Sequence, residues 1–170
     1  MLLILYKEAS EKDKFSVTNV WNNARFFTTI TSALITISIA FIRNSDKLNI
    51  DNNLSIGVLF SLILIPIIVI VLSFIGIKNL EREYSRFLEW IAVIEKLREI
   101  LGLYQEININ KFPDDKYLLP KRFIESKFSS SEKFISYGLK KKGTLLYYFK
   151  ALHYTYIILS ILILLSILWM

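Results

Sequence analysis

Six polar residues recur near the start of the chain: Asn22, Arg25, Thr29, Ser32, Thr36 and Arg43, at intervals of 3, 4, 3, 4 and 7. On a helix that spacing is an a/d seam, so the six share one face. Hydroxyl, amide and guanidinium groups gathered on one face can serve two ends. They let a neighbouring helix approach closely and hydrogen-bond across the contact, or they line a water-filled path when several copies assemble. Thr28, Thr31 and Ser38 lie off the seam, so spacing alone leaves both uses open.

Covalent chemistry finds no comparable support. His153 is the only histidine and there is no cysteine, so a serine nucleophile has one imidazole to serve it, and a disulfide or a thiolate metal site is excluded. Asp114 and Asp115 are adjacent in "FPDDKY", so they do not face one another as a catalytic pair would, and the stretch reads as a turn. The five glycines, at 57, 76, 102, 138 and 143, never cluster into a phosphate-cradling loop. The reading is therefore of a protein that is not an enzyme and takes no cofactor or metal. His153, beside Tyr154, is read as a polar residue at a membrane interface.

The elements that would carry the seam follow from the distribution of charge. Residues 26–42, 52–77 and 151–170 form charge-free runs of 17, 26 and 20 residues in a chain of 170 that is 54% hydrophobic. A membrane-spanning helix needs about 20 predominantly apolar residues. The run "LSIGVLFSLILIPIIVIVLSFIGI" has no polar face at any helical period, and a soluble bundle of this size could not cover such a helix on every side. The expected fold is all-α: a polytopic membrane protein with three transmembrane helices and a helical cytoplasmic part. Residues 1–25 form a cytoplasmic N-terminal helix, 26–42 the first span, 43–55 a short outer loop, 56–77 the second span, 78–150 a cytoplasmic helical region and 151–170 the third span. "MLLILYKEASEKDK" lacks the basic n-region and cleavage site of a signal peptide. Its first six residues are expected on the bilayer surface or against another helix.

Basic residues set the expected orientation, because they stay cytoplasmic. Residues 1–25 hold four, 43–51 hold two and 78–150 hold 15. The N-terminus and the 78–150 segment therefore belong on the cytoplasmic side of the inner membrane, with the short loop and the C-terminus outside. Lys140, Lys141, Lys142 and Lys150, just before the third span, fix its orientation and are placed to touch anionic lipid headgroups. Tyr147, Tyr148, Tyr154 and Tyr156 would form an interfacial belt. Nucleic-acid binding is disfavoured, because the net charge is only +6 and acidic residues are mixed into most of the basic segments.

Several local features refine this layout. Nothing breaks a helix before Gly57, so one helix from about residue 7 to 42 is expected. Pro66 removes a backbone hydrogen bond in the middle of span two, which predicts a kink, either packed on its neighbours or acting as a hinge that shapes a pore. Span two continues into "KNLEREYSRFLEWIAVIEKLREILG". Leu80, Tyr84, Phe87, Ile91, Ile94 and Leu101 make one apolar stripe there, and Trp90, Val93, Leu97 and Ile100 a second beside it. Two stripes imply cover on two sides, so residues 80–101 are a candidate docking surface for a soluble protein. Gly102 is a candidate helix terminator. Ser129 to Glu132 matches a capping box opening a helix through Lys141. Gly143 breaks or bends that helix, and a last one starts near Thr144.

The order of elements, with "YKEASEKDKF" before the first span and "KNLEREYSRFLEWIAVIEKLREILGL" after the second, resembles the SLATT-type small membrane effectors of bacterial conflict systems over residues 6–102. The third span is an addition to that layout. The resemblance implies a pore-forming or membrane-disrupting effector, switched on by a partner that senses infection, and carries over no catalytic residue. The expected function is an oligomeric inner-membrane effector, possessing membrane lipids and further copies of itself as partners and a role in antiviral defence. The alternative is a membrane anchor or adaptor that docks a soluble partner through its cytoplasmic helices.

Overall fold

A computed structural model describes residues 1–48, 56–103 and 129–168, with side chains described for 1–43, 60–103 and 129–167. All the described elements are helices. They are α1 (Leu2–Leu48), α2 (Ile56–Ile100), α3 (Ser131–Lys140) and α4 (Leu145–Leu168). Three of them, α1, α2 and α4, are long and apolar enough to cross a membrane.

The ends of these helices follow local chemistry. With neither proline nor glycine before Gly57, α1 runs unbroken from Leu2. It takes in the first residues that the sequence left to the bilayer surface or to a neighbouring helix. It also continues to Leu48, through half of the segment expected as an outer loop. The Asn, Ser and Asp side chains there disfavour a helix only weakly, and no breaker stops it. The expected loop residues 49–55 and the "FPDDKY" turn, with Asp114 and Asp115, lie outside the described residues. α2 carries Pro66 within it and runs on to Ile100. It stops in a Schellman motif: Gly102 has φ +72°, its N–H donates to the Glu99 carbonyl at 3.0 Å, and the Leu103 N–H donates to the Arg98 carbonyl at 3.0 Å.

The cap of α3 differs by one residue from the expected one. Ser130, not Ser129, is the N-cap, and its hydroxyl accepts from the Lys133 N–H at 3.2 Å. Three serines in a row offer alternative frames, and the helix uses the second. The helix ends at Lys140, and Gly143 takes φ +77°, a conformation that favours glycine. Thr144 then caps α4, its hydroxyl accepting from the Tyr147 N–H at 3.3 Å.

The chain divides into two compact units, one of Met1–Asn19 with Glu83–Lys141 and the other of Val20–Arg82 with Lys142–Met170. The first unit is built around Ala9 and Ser16 of α1, Tyr84, Leu88, Ala92 and Ile94 of α2, and Gly138 of α3, all buried. Gly138 is there because Leu88 lies against it: a Cβ at 138 would stand 2.7 Å from Leu88 Cδ1. The Arg98 Nε–H donates to the Tyr6 hydroxyl at 3.4 Å, which brings the start of α1 alongside the end of α2. Asp13 is partly buried in this unit, with Oδ1 lacking a hydrogen-bond partner among the described residues. Burial pushes its carboxyl above the ordinary range, against the pull of the Arg98 charge.

The second unit holds the apolar parts of α1, α2 and α4. Its buried residues recur at heptad-like spacing: Val20, Ala24, Thr31, Ile35 and Ser38 on α1, Leu62, Pro66, Val69, Ser73, Gly76, Ile77 and Leu80 on α2, and Leu146, His153 and Ser160 on α4. Spacings of three, four and seven are those of helices crossing at a shallow angle.

Candidate functional site

The polar side chains of the second unit fall into an inner set and an outer set. The inner set is Thr31 and Ser38 of α1, Ser73 of α2, and His153 and Ser160 of α4, all buried. Two of the five are satisfied within their own helix. The Thr31 hydroxyl donates to the Phe27 carbonyl at 2.7 Å, and the Ser38 hydroxyl to the Leu34 carbonyl at 3.0 Å. The hydroxyls of Ser73 and Ser160 and both ring nitrogens of His153 have no partner among the described residues.

His153, expected as a polar residue at a membrane interface, is buried among helices, with 0% exposure. The cause is Gly76. With no side chain there, the imidazole stands where a Cβ at 76 would crowd it. A Cβ at 76 would lie 3.1 Å from His153 Cε1, 3.2 Å from His153 Nε2 and 3.2 Å from Phe27 Cβ. All three long helices meet at this point. The sequence signal for it is the repeat Leu146, His153, Ser160, seven residues apart on one helix face, each member buried.

The outer set is the seam predicted from spacing. Asn22, Arg25, Thr29, Thr36 and Arg43 are exposed, so the seam turns away from the core of this unit. Ser32 is the exception. It is partly buried and shares a 2.6 Å hydrogen bond with the Tyr156 hydroxyl of α4. Tyr156 is thus tied to α1, while Tyr147, Tyr148 and Tyr154 are 45%, 64% and 51% exposed. The Thr36 hydroxyl donates to the Ser32 carbonyl at 2.9 Å. Ala33 and Ala40 are also exposed, so residues 29, 33, 36 and 40 make a strip of small side chains between the hydroxyls. Arg25 stands over the Trp21 ring at 5.8 Å, and Trp21 meets Phe149 of α4 edge-on at 6.0 Å. The remaining outward surface is mainly apolar: Phe60, Leu64, Ile67, Val71 and Phe74 on α2, and Ile158, Leu162 and Leu165 on α4.

Pro66 is fully buried on α2, within a continuous helix. Lys140, Lys141 and Lys142 are exposed, as contact with lipid headgroups requires. Lys150 is engaged elsewhere: its ammonium lies 2.6 Å from Glu81 Oε1, and Lys78 approaches the other oxygen at 3.4 Å. The hydrogen bond from Lys150 holds the Glu81 carboxyl below its ordinary range, against the effect of burial. No cluster of three or more metal-ligating side chains occurs among the described residues. The geometry offers helix contacts and a polar helix face.

No protein-family model matches this chain, and no curated protein or solved structure matches it either.

Proposed function

We propose that the chain is one subunit of an oligomeric inner-membrane assembly that opens a polar path through, or disrupts, the bilayer when a partner engages it. One observation carries this reading: the hydroxyl seam of α1 lies on the outside of the three-helix unit, with Thr29 and Thr36 exposed beside Ala33 and Ala40. Small and hydroxyl side chains gain little from lipid, but they let helix backbones approach closely. Three spans from one chain enclose no pore of their own, so a path lined by this face needs several copies. Asn22 and Arg25 put amide and charge at the cytoplasmic end of the same face, where a cytoplasmic N-terminus and an outer C-terminus place it. The resemblance to conflict-system effectors supplies the setting, antiviral defence, and the expectation of an activating partner.

The test is membrane potential in cells that express the chain under activating conditions, followed with a potential-sensitive dye. Wild type is expected to collapse the potential, and the double variant T29L/T36L to insert equally well but leave it intact. Depolarisation by T29L/T36L equal to that of wild type, or a potential that persists in wild type under every activating condition, would contradict the proposal.

A second reading, an anchor that docks a soluble protein, draws on the cytoplasmic part of α2. Of its two apolar stripes, Tyr84 and Ile94 of one are buried, whereas Val93 and Ile100 of the other are 38% and 64% exposed. A soluble partner seated there would co-purify in mild detergent at fixed stoichiometry and be lost on changing Val93 and Ile100 to Asp. A homo-oligomeric mass with nothing added favours the first reading.

A further inference from the structure

We propose that His153 is a proton-responsive latch: its neutral ring holds the third span against Gly76 of the second, and a proton on the ring forces that contact apart. The latch is a property of one chain and stands whether or not copies assemble into a path.

The geometry carries the argument. His153 is fully buried where α1, α2 and α4 meet, its ring and the Phe27 Cβ both bordering the space that a side chain at Gly76 would need. Neither ring nitrogen has a hydrogen-bond partner among the described residues. A neutral imidazole leaves one N–H and one lone pair unmade there. A protonated ring leaves two N–H groups unmade and adds a charge in the apolar centre of the unit, where an unpaired charge costs far more than an unpaired dipole. The ring cannot relieve this by turning to a carboxylate. On α2 the nearest charged groups in sequence are Lys78 and Glu81, and Glu81 is held by Lys150 at 2.6 Å and Lys78 at 3.4 Å. On α4 the nearest is Lys150 itself, one turn before His153. On α1 the nearest is Arg25, which is exposed and stands over Trp21. Three of these four groups are cations, and they repel a protonated ring. The Tyr156 ring stands edge-on to His153 at 5.9 Å between centroids. The route to relief is for α4 to rotate or slide until the ring reaches water or headgroups.

The absence of cysteine makes the test direct. Spin labels on F74C and T155C sit on exposed positions of α2 and α4, each two residues from the contact. The labelled chain, diluted with unlabelled chain in phosphatidylcholine vesicles, is compared at about pH 7.5 and about pH 5, the range in which histidine changes charge. The interlabel distance in the wild-type background is expected to shift by about 2 Å or more on acidification, the scale of a helix rearrangement. H153Q, which keeps a polar ring-sized group without a titratable site, is expected to show one distance at both values. H153M serves the same purpose if H153Q does not insert, with helix content checked by circular dichroism. A wild-type distance that does not move with pH overturns the latch. So does an H153Q or H153M distance that moves as wild type does, which would assign the response to a group other than His153.

Discussion

Between residues 20 and 40, α1 presents two faces with similar side chains and opposite surroundings. The inner face carries Thr31 and Ser38 among Ala24 and Ile35; the outer carries Thr29 and Thr36 among Ala33 and Ala40. Polarity does not separate them. Hydroxyls on both faces donate to carbonyls of their own helix, Thr31 and Ser38 on the inner and Thr36 on the outer. A hydroxyl satisfied in this way is nearly indifferent to what lies beyond it. The faces differ in what meets them. The inner one is buried within its unit. The outer one is exposed at Thr29, Ala33, Thr36 and Ala40.

The comparison breaks most visibly by adding bulk to either side. G76L pushes a side chain into His153 and Phe27, which stand 3.1 and 3.2 Å from its first carbon. The expected cost is about 1–3 kcal/mol of stability or more, read as a lower melting temperature in detergent. G76A should show a smaller loss, partly recovered in G76A/H153A because the two sites share one contact. A33L adds comparable bulk to the outer face. It is expected to change subunit stability by no more than about 0.5 kcal/mol while lowering the mass of the extracted assembly.

Next in size is the Ser32–Tyr156 hydrogen bond, which ties the seam to α4. Removing it with S32A or Y156F should cost about 1 kcal/mol, and the double variant should cost no more than the larger single one. A smaller effect comes from the Glu81–Lys150 pair. Its carboxyl is held below the ordinary range by the Lys150 hydrogen bond, so the folded form takes up a proton less readily than the unfolded form. The pair's contribution is therefore complete above the ordinary carboxylate range and fades as the pH falls through the depressed native value. E81Q should flatten the stability profile in that acidic window and cost less than about 1 kcal/mol at neutral pH, since the pair is partly exposed. The smallest effect is expected for S38A, within about 0.5 kcal/mol, because the lost bond lies within one helix.

The sequence made the spans, the long α2, the Gly102 stop and the Gly143 break legible, because each rests on local physics: run length, periodicity or a positive φ. Which face of α1 points inward was not legible from polarity. The spacing of Asn22, Arg25, Thr29, Ser32 and Thr36 identifies a real stripe, and its exposure emerges only once α2 and α4 are packed on the opposite side. The burial of His153 was hidden for a related reason. A histidine near a predicted boundary reads as interfacial until a glycine on another helix, 77 positions earlier in the sequence, is seen to make room for it. The one-residue shift of the α3 cap shows the limit of a capping motif when serines stand at 129, 130 and 131.

The outer face is best tested by substituted-cysteine labelling in intact membranes, which the cysteine-free chain permits without background. Single cysteines at Thr29 and Thr36 are compared with Ile37 and Ile39, which are equally outward but apolar, using a charged, membrane-impermeant thiol reagent. If copies of α1 line a polar path, positions 29 and 36 react and positions 37 and 39 do not. Equal protection of all four positions under activating conditions would mean that the seam faces lipid or closed helix contacts, and that no polar path runs along it.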